Sequence, residues 1–531
     1  MPRSPRIDWK IDSLAVPDAK ALGLDQLITQ LWIRVAYDNK SVVRRKTSYS
    51  KVVELASKIE GSTWAPAFIG FEPGQGVAEA WLRADLLRVF KRQPDQFAVA
   101  RPLHLPATRI RNVRRDGDSD GSAILYRWLL DLGPDVLEDL REWITPESAA
   151  TGSTALDLPS YALLRLAEDE DDDVPIEARP RPAPRPICAR QGMTYVDDMR
   201  RLMAYRGHLP RSVIVDHLQR LSALHLGLYL LKTFRAVIDL SQTGSMKCSA
   251  CLSGSTTPPE DCPYNLELVA DCGDDARSAP ARLAMDTWIE EEAVIARFVR
   301  AHLTLRKLQE FAKYVGPPNK PLPVDTLEDI AAVRTRARRG RIDERAGDLT
   351  QEYLDAVTEA DKAEGAQLGE LKGQYEALGL SPFEVYMALL FQGSERPRLN
   401  YLRYLLDSLF MKNEPGGMMR QPLGGRKRIR RFALSPGMVE TLALVAFITE
   451  TDRGPETRPM RVDQFVDHLH HRYGLLVARA PGNASNDPDA TRAMIENNRM
   501  FRRRLREAGL FVDLSDAFVA QTLKPRLEVR R

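Results

Sequence analysis

A chain of 531 residues is too long for one hydrophobic core and implies about three domains. Its 44% hydrophobic and 28% charged residues are the composition of an ordinary soluble globular protein. A formal net charge of +3 excludes a whole-molecule argument for nucleic acid, but the charge is unevenly placed. From Arg420 onward there are 21 Lys+Arg against 13 Asp+Glu, which leaves the rest of the chain at −5. One basic end is what a module that meets a polyanion looks like.

The start, Met1-Pro2-Arg3-Ser4-Pro5-Arg6, runs into Asp8 and Lys10 rather than an apolar core, so no signal peptide is expected. Five cysteines, an odd number, fit a reducing cytoplasm. Residues 1–166 hold six of the seven tryptophans and read as a mainly helical domain. Leu22, Leu27, Leu31 and Val35 fall near one helix face, as do Ala78, Trp81, Leu82, Leu86 and Val89. An acidic and proline-rich stretch, 167–187, then reads as a linker, because like charges repel and alternating prolines enforce an extended chain.

Residues 188–413 read as a helical bundle. Ser212 to Leu240 is apolar on most sides, as befits a central helix. Pro280 to Val315 is a second long helix, stopped by Gly316-Pro317-Pro318. Within the bundle lies a turn-rich cysteine loop, 248–272. Cys248 and Cys251 form a C-x-x-C knuckle, followed by Cys262 and Cys272, and four thiolates match one structural zinc. Reduced structural thiols, or a mixed set of Cys248, Cys251 and Cys262 with a histidine, are the alternatives. A Gly-rich, basic joint, 414–432, closes the bundle.

No catalytic signature is legible. Gly70-Phe-Glu-Pro-Gly74-Gln-Gly76 lacks the Gly-Lys-Ser/Thr of a phosphate loop, and Glu370-Leu371-Lys372 falls on a charged helix rather than a strand edge. His468, His470 and His471 read as surface histidines near a phosphate path.

Residues 433–531 carry the binding chemistry. Ser435-Pro436 and Asp487-Pro488 are helix starts, Gly474 and Gly509 are stops, and Leu510–Leu514 with Phe518–Leu523 suits a hairpin. Three helices and a terminal hairpin are the plan of a winged helix, which lays its third helix in the DNA major groove. Arg492, Arg499, Arg503 and Arg506 recur along one face of that helix, with Asn498 and Arg502 beside them. Arg426, Lys427, Arg428, Arg430 and Arg431 before the module, and Lys524 and Arg526 after its hairpin, are further phosphate contacts. The reading is a mainly α, multidomain, non-catalytic protein that binds DNA. Its alternative is a scaffold subunit whose winged helix holds protein partners.

The opening Pro2-Arg3-Ser4-Pro5-Arg6-Ile7-Asp8-Trp9 and the overall layout resemble accessory components of bacterial methylation-associated defence systems. That resemblance implies a non-catalytic cytoplasmic partner of a methyltransferase and other subunits. It carries over no functional residues.

Overall fold

The computed structural model describes residues 7–17, 23–40, 51–90, 92–110, 121–146, 156–168, 185–248, 262–317, 320–422, 429–511 and 521–530. It is mainly helical, as the periodicities require. The expected linker 167–187 lies mostly outside the described residues, as does Cys251.

The chain forms two compact units, each assembled from three separate stretches. The larger comprises Val16–Leu228, Leu266–Thr287 and Asp407–Arg531. The smaller comprises Met1–Ala15, Tyr229–Asn265 and Trp288–Leu406.

In the larger unit the N-terminal helices are α1 (Leu24–Ala36), α2 (Val52–Glu60), α3 (Val77–Trp81), α4 (Ala107–Ile110), α5 (Gly121–Leu132), α6 (Pro134–Ile144) and α7 (Leu158–Glu168). The antiparallel pair β1 (Leu87–Phe90) and β2 (Gln93–Ala100) lies among them. Their core gathers Leu55, Ile59, Leu82, Phe97 and Leu163, all at most 3% exposed. The tryptophans serve this packing. Trp32 is fully buried and donates from Nε1 to the Pro102 carbonyl at 2.7 Å, so its one polar atom is satisfied.

Next come α8 (Ala189–Met203) and α9 (Arg211–Thr243). Helix α9 is the one described helix long and apolar enough to cross a membrane, and 94% of that apolar window is buried inside the protein. It is a core helix, as its all-round apolar pattern predicts.

The smaller unit takes its helices from the end of α9, most of α10 (Ala279–Val315), then α11 (Leu327–Arg336), α12 (Arg341–Ala360), α13 (Lys362–Ala377) and the bulk of α14 (Pro382–Leu409). Thr326 starts α11 with a capping box to Asp329, and Asp361 caps α13 through the amides of Ala363 and Glu364. The charged chain from Arg341 to Ala377 is therefore two helices, broken at Asp361.

Candidate nucleic-acid interface

The C-terminal module belongs wholly to the larger unit. Helix α15 (Pro436–Phe447) begins where the capping logic puts it, with Ser435 Oγ accepting the Met438 amide at 3.2 Å. A hairpin absent from the sequence reading follows: β6 (Ile448–Thr451) pairs antiparallel with β7 (Gly454–Thr457). Strand β8 (Met460–Arg461) leads into α16 (Val462–Tyr473), which stops at Gly474 with φ 73°. Helix α17 (Pro488–Glu507) starts at Asp487, whose side chain accepts the Asp489 amide at 2.9 Å.

After α17 the chain returns beside the strand that preceded α16. Strand β10 (Thr522–Leu523) pairs antiparallel with β8, and Phe511 bridges Leu523 antiparallel on the other side. The Lys524 amide donates to the Leu510 carbonyl at 3.0 Å. The arms of the expected terminal hairpin thus meet at their base; Val512–Ala520 lie outside the described residues.

Helix α17 has two faces. Met494, Phe501 and Leu505 are buried, at most 1% exposed. Asn497 stands among them and is fully buried. Its Nδ2 donates to the carbonyls of Ala270 and Val477 at 2.9 and 3.1 Å, while its Oδ1 accepts the Cys272 amide at 2.9 Å. Those partners flank β3 (Leu268–Val269) and β9 (Leu475–Leu476), which pair in parallel. One asparagine therefore pins the helix to two strand ends, and every bond it makes satisfies a group hidden from water. Asparagine spacing alone did not separate it from its neighbour Asn498.

The opposite face is cationic. Arg492 and Arg503 have side chains 79% and 77% exposed. Among the described residues each pairs with a surface acid on the same helix, Asp489 at 3.1 Å and Glu507 at 2.9 Å. Exposed pairs of this kind contribute little, so both guanidinium groups remain open to a stronger anion. Arg499 is exposed and pairs with no described acid. Arg506 is exposed, its guanidinium 5.9 Å from the Phe511 ring. Ile495, 50% exposed, is the apolar member of this face.

Other expected contacts are differently placed. Arg502 is half-buried and bonded to Gln521 Oε1. Asn498 is half-buried, with an Oδ1 that has no partner among the described residues. Lys524 is exposed, and Arg526 pairs with Glu440 at 2.8 Å and with the Ala508 carbonyl.

The basic run divides. Arg426, Lys427 and Arg428 lie outside the described residues. Arg430 holds Asp407 bidentately at 2.6 and 2.8 Å, with its side chain 14% exposed. Arg431 is buried in β5 (Arg431–Phe432), which pairs with β4 (Met419–Arg420), and meets Asp271 at 2.8 Å. Burial pushes the Asp271 carboxyl up from its ordinary range, against the pull of the Gly273 amide and Arg431. Arg430 and Arg431 are interior ties rather than phosphate contacts, because two acids from distant parts of the chain claim them.

A second interior tie seats α16. Asp198 of α8 is fully buried, accepting from Tyr473 Oη at 2.7 Å and Arg472 Nε at 2.8 Å, and bonded to His225 Nε2 at 2.8 Å. Gln191 Nε2 lies 2.7 Å from His225 Nδ1, so a neutral imidazole that donates to Asp198 satisfies both ring nitrogens. Burial alone would raise the Asp198 carboxyl; Arg472 and His225 outweigh it and hold it down at about 2. His468 is half-buried: it stacks on Phe465, and burial lowers it to about 4. The surface role expected for it is thereby corrected, since its ring fills space beside Tyr473.

Cys248 and Cys262 are buried in the smaller unit. Cys272, in the larger unit, is 2% exposed, its thiol donating to the Ala270 carbonyl at 3.5 Å and raised by burial. Among the described residues no three His, Cys, Asp or Glu side chains form a metal cluster. Cys272 instead helps to seat α17 through Asn497.

Residues 8–527 match the family described as "Methylation-associated defense system protein MAD7". The chain belongs to that family. It is thus a component of a defence system, as the opening residues and the layout implied. Comparison with curated proteins and with solved structures gave no match.

Proposed function

We propose that this defence-system protein is a non-catalytic, cytoplasmic DNA-binding component whose residues 433–531 form a winged helix. The observation that carries the proposal is the pair of faces on α17: an inward face pinned by Asn497 and an outward one of Arg492, Arg499, Arg503 and Arg506. Strand order supports it, because a strand between the first two helices pairs with the strand that returns after the third. Guanidinium groups at this spacing suit phosphates and guanine edges along one groove.

Counterion release tests it. Binding of full-length protein to duplex DNA should weaken steeply with salt, by about 0.9 log units of affinity per log unit of salt for each phosphate contact. Absence of binding at low salt would sink the proposal. Ile495 favours the second reading, a scaffold that docks protein through the same helix, since an exposed isoleucine suits an apolar partner. Co-purification of other subunits that is lost on Ile495→Glu, from a chain that does not bind duplex DNA, would select that reading. A structural zinc held by Cys248, Cys251 and Cys262 with a histidine or Cys272 as fourth ligand is a separate proposal, tested by metal analysis of the purified chain against Cys248→Ser with Cys251→Ser.

A further inference from the structure

The smaller unit encloses a cleft that DNA binding leaves unused. It has a volume of about 480 Å³ and lies between the α12–α13 hairpin and α14. The hairpin closes tightly at Gly365, where a Cβ would fall 2.2 Å from Thr358 Oγ1. Leu354, Val357 and Leu368 of the hairpin pack with Val385 and Leu389 of α14. Pro397, inside α14, interrupts the regular backbone bonding of that helix along the cleft. The floor is apolar, from Leu368, Leu371 and Leu389, and the mouth carries the exposed Gln392, Arg396 and Asn400.

One charge is set into the wall. Glu364 Oε1 is shut off from solvent and accepts no hydrogen bond from any described residue. The Asp361 amide, which a glutamate at this position would cap, already donates to the Val357 carbonyl at 2.8 Å, so the side chain has no capping duty. A secluded carboxylate oxygen without a donor is a standing cost to the fold, and a ligand N–H aimed at it removes that cost. Tyr353 lines the same wall, and burial, then the nearby Glu364 charge, pushes its phenol up from its usual range. An apolar pocket of a few hundred Å³ with one directed polar group is the ordinary form of a small-molecule site.

We propose that this cleft binds a small organic monocation, an amine or amidine carried on an apolar ring or chain, whose N–H donates to the Glu364 carboxylate once the side chain turns Oε1 into the cleft. Exposed Arg396 at the mouth disfavours a second positive charge, so polyamines are selected against. The proposal is independent of the DNA reading.

Ligand-observed NMR on the full-length chain tests it, with biphenylmethylamine and its neutral counterpart biphenylmethanol as probes. The amine should bind about tenfold more tightly than the alcohol, the worth of one charge-assisted hydrogen bond. Glu364→Gln should bring the amine down to the alcohol's affinity without lowering the melting midpoint. Asn400→Trp, at an exposed rim position, should block both probes without disturbing the core. Equal affinities for the two probes, an amine indifferent to Glu364→Gln, binding that survives Asn400→Trp, or no binding of either probe would overturn the proposal.

Discussion

Arg430 and Arg431 end a run of five cations in six residues, whereas Arg492, Arg499, Arg503 and Arg506 are spread along a helix. By charge density the run is the stronger candidate for an anion site. The structure reverses the ranking: the two run residues it describes are spent on Asp407 and Asp271, and the spaced arginines stand in solvent. A cluster of charges says only that acids or anions are near. Spacing at one helix face says that the cations point the same way, which a long polyanion requires.

The contrast between interior and surface cations makes graded predictions. The largest effect concerns acid. Burial lowers His104, His217 and His302 to about 3 in the folded chain, against about 6.5 when unfolded. The unfolded state therefore binds more protons across that window, so stability is full above about pH 6.5 and falls progressively toward pH 3. Asp198, depressed to about 2, adds a further loss below about pH 4. Thermal unfolding followed by circular dichroism between about pH 7 and pH 4 should show a falling midpoint. A flat profile would mean that these histidines are not held neutral.

Next come the interior ties. Arg431→Ala leaves Asp271 buried without its counter-charge and should cost about 3–5 kcal/mol in denaturant unfolding; Asp198→Ala takes the acceptor from Tyr473 and His225 but leaves Arg472 paired with Asp197 at 2.6 Å, and should cost less. If Arg431→Ala instead weakened DNA binding with stability unchanged, the placing of Arg431 in the interior would be wrong. Asn497→Ala should cost about 2 kcal/mol, because it takes a donor from two buried carbonyls and the acceptor from one amide. At the small end, Arg499→Ala with Arg503→Ala should change stability by less than about 0.5 kcal/mol, as surface substitutions do.

Much of the fold was legible because helix periodicity and capping are local. Ser435, Gly474 and Asp487 mark boundaries where the structure has them. The β6–β7 hairpin was not legible, since Thr449 to Glu456 carries no alternating apolar pattern. Nor was the grouping of Leu266–Thr287 with the C-terminal module, which depends on a two-residue parallel pairing and on Asn497. The site was legible as a face, from the recurrence of Arg492, Arg499, Arg503 and Arg506. Partnership with distant acids decides whether an arginine is available, and no spacing within the chain encodes that.

The central claim is that the outward face of α17 binds the phosphates of duplex DNA. It is tested most directly by the affinity of the full-length chain for one duplex across a salt series, with and without Arg499→Ala and Arg503→Ala together. The account predicts a steep salt dependence whose slope falls by about 2 in the double variant, with unfolding unchanged. A slope identical in both proteins, or no binding at low salt, would contradict it.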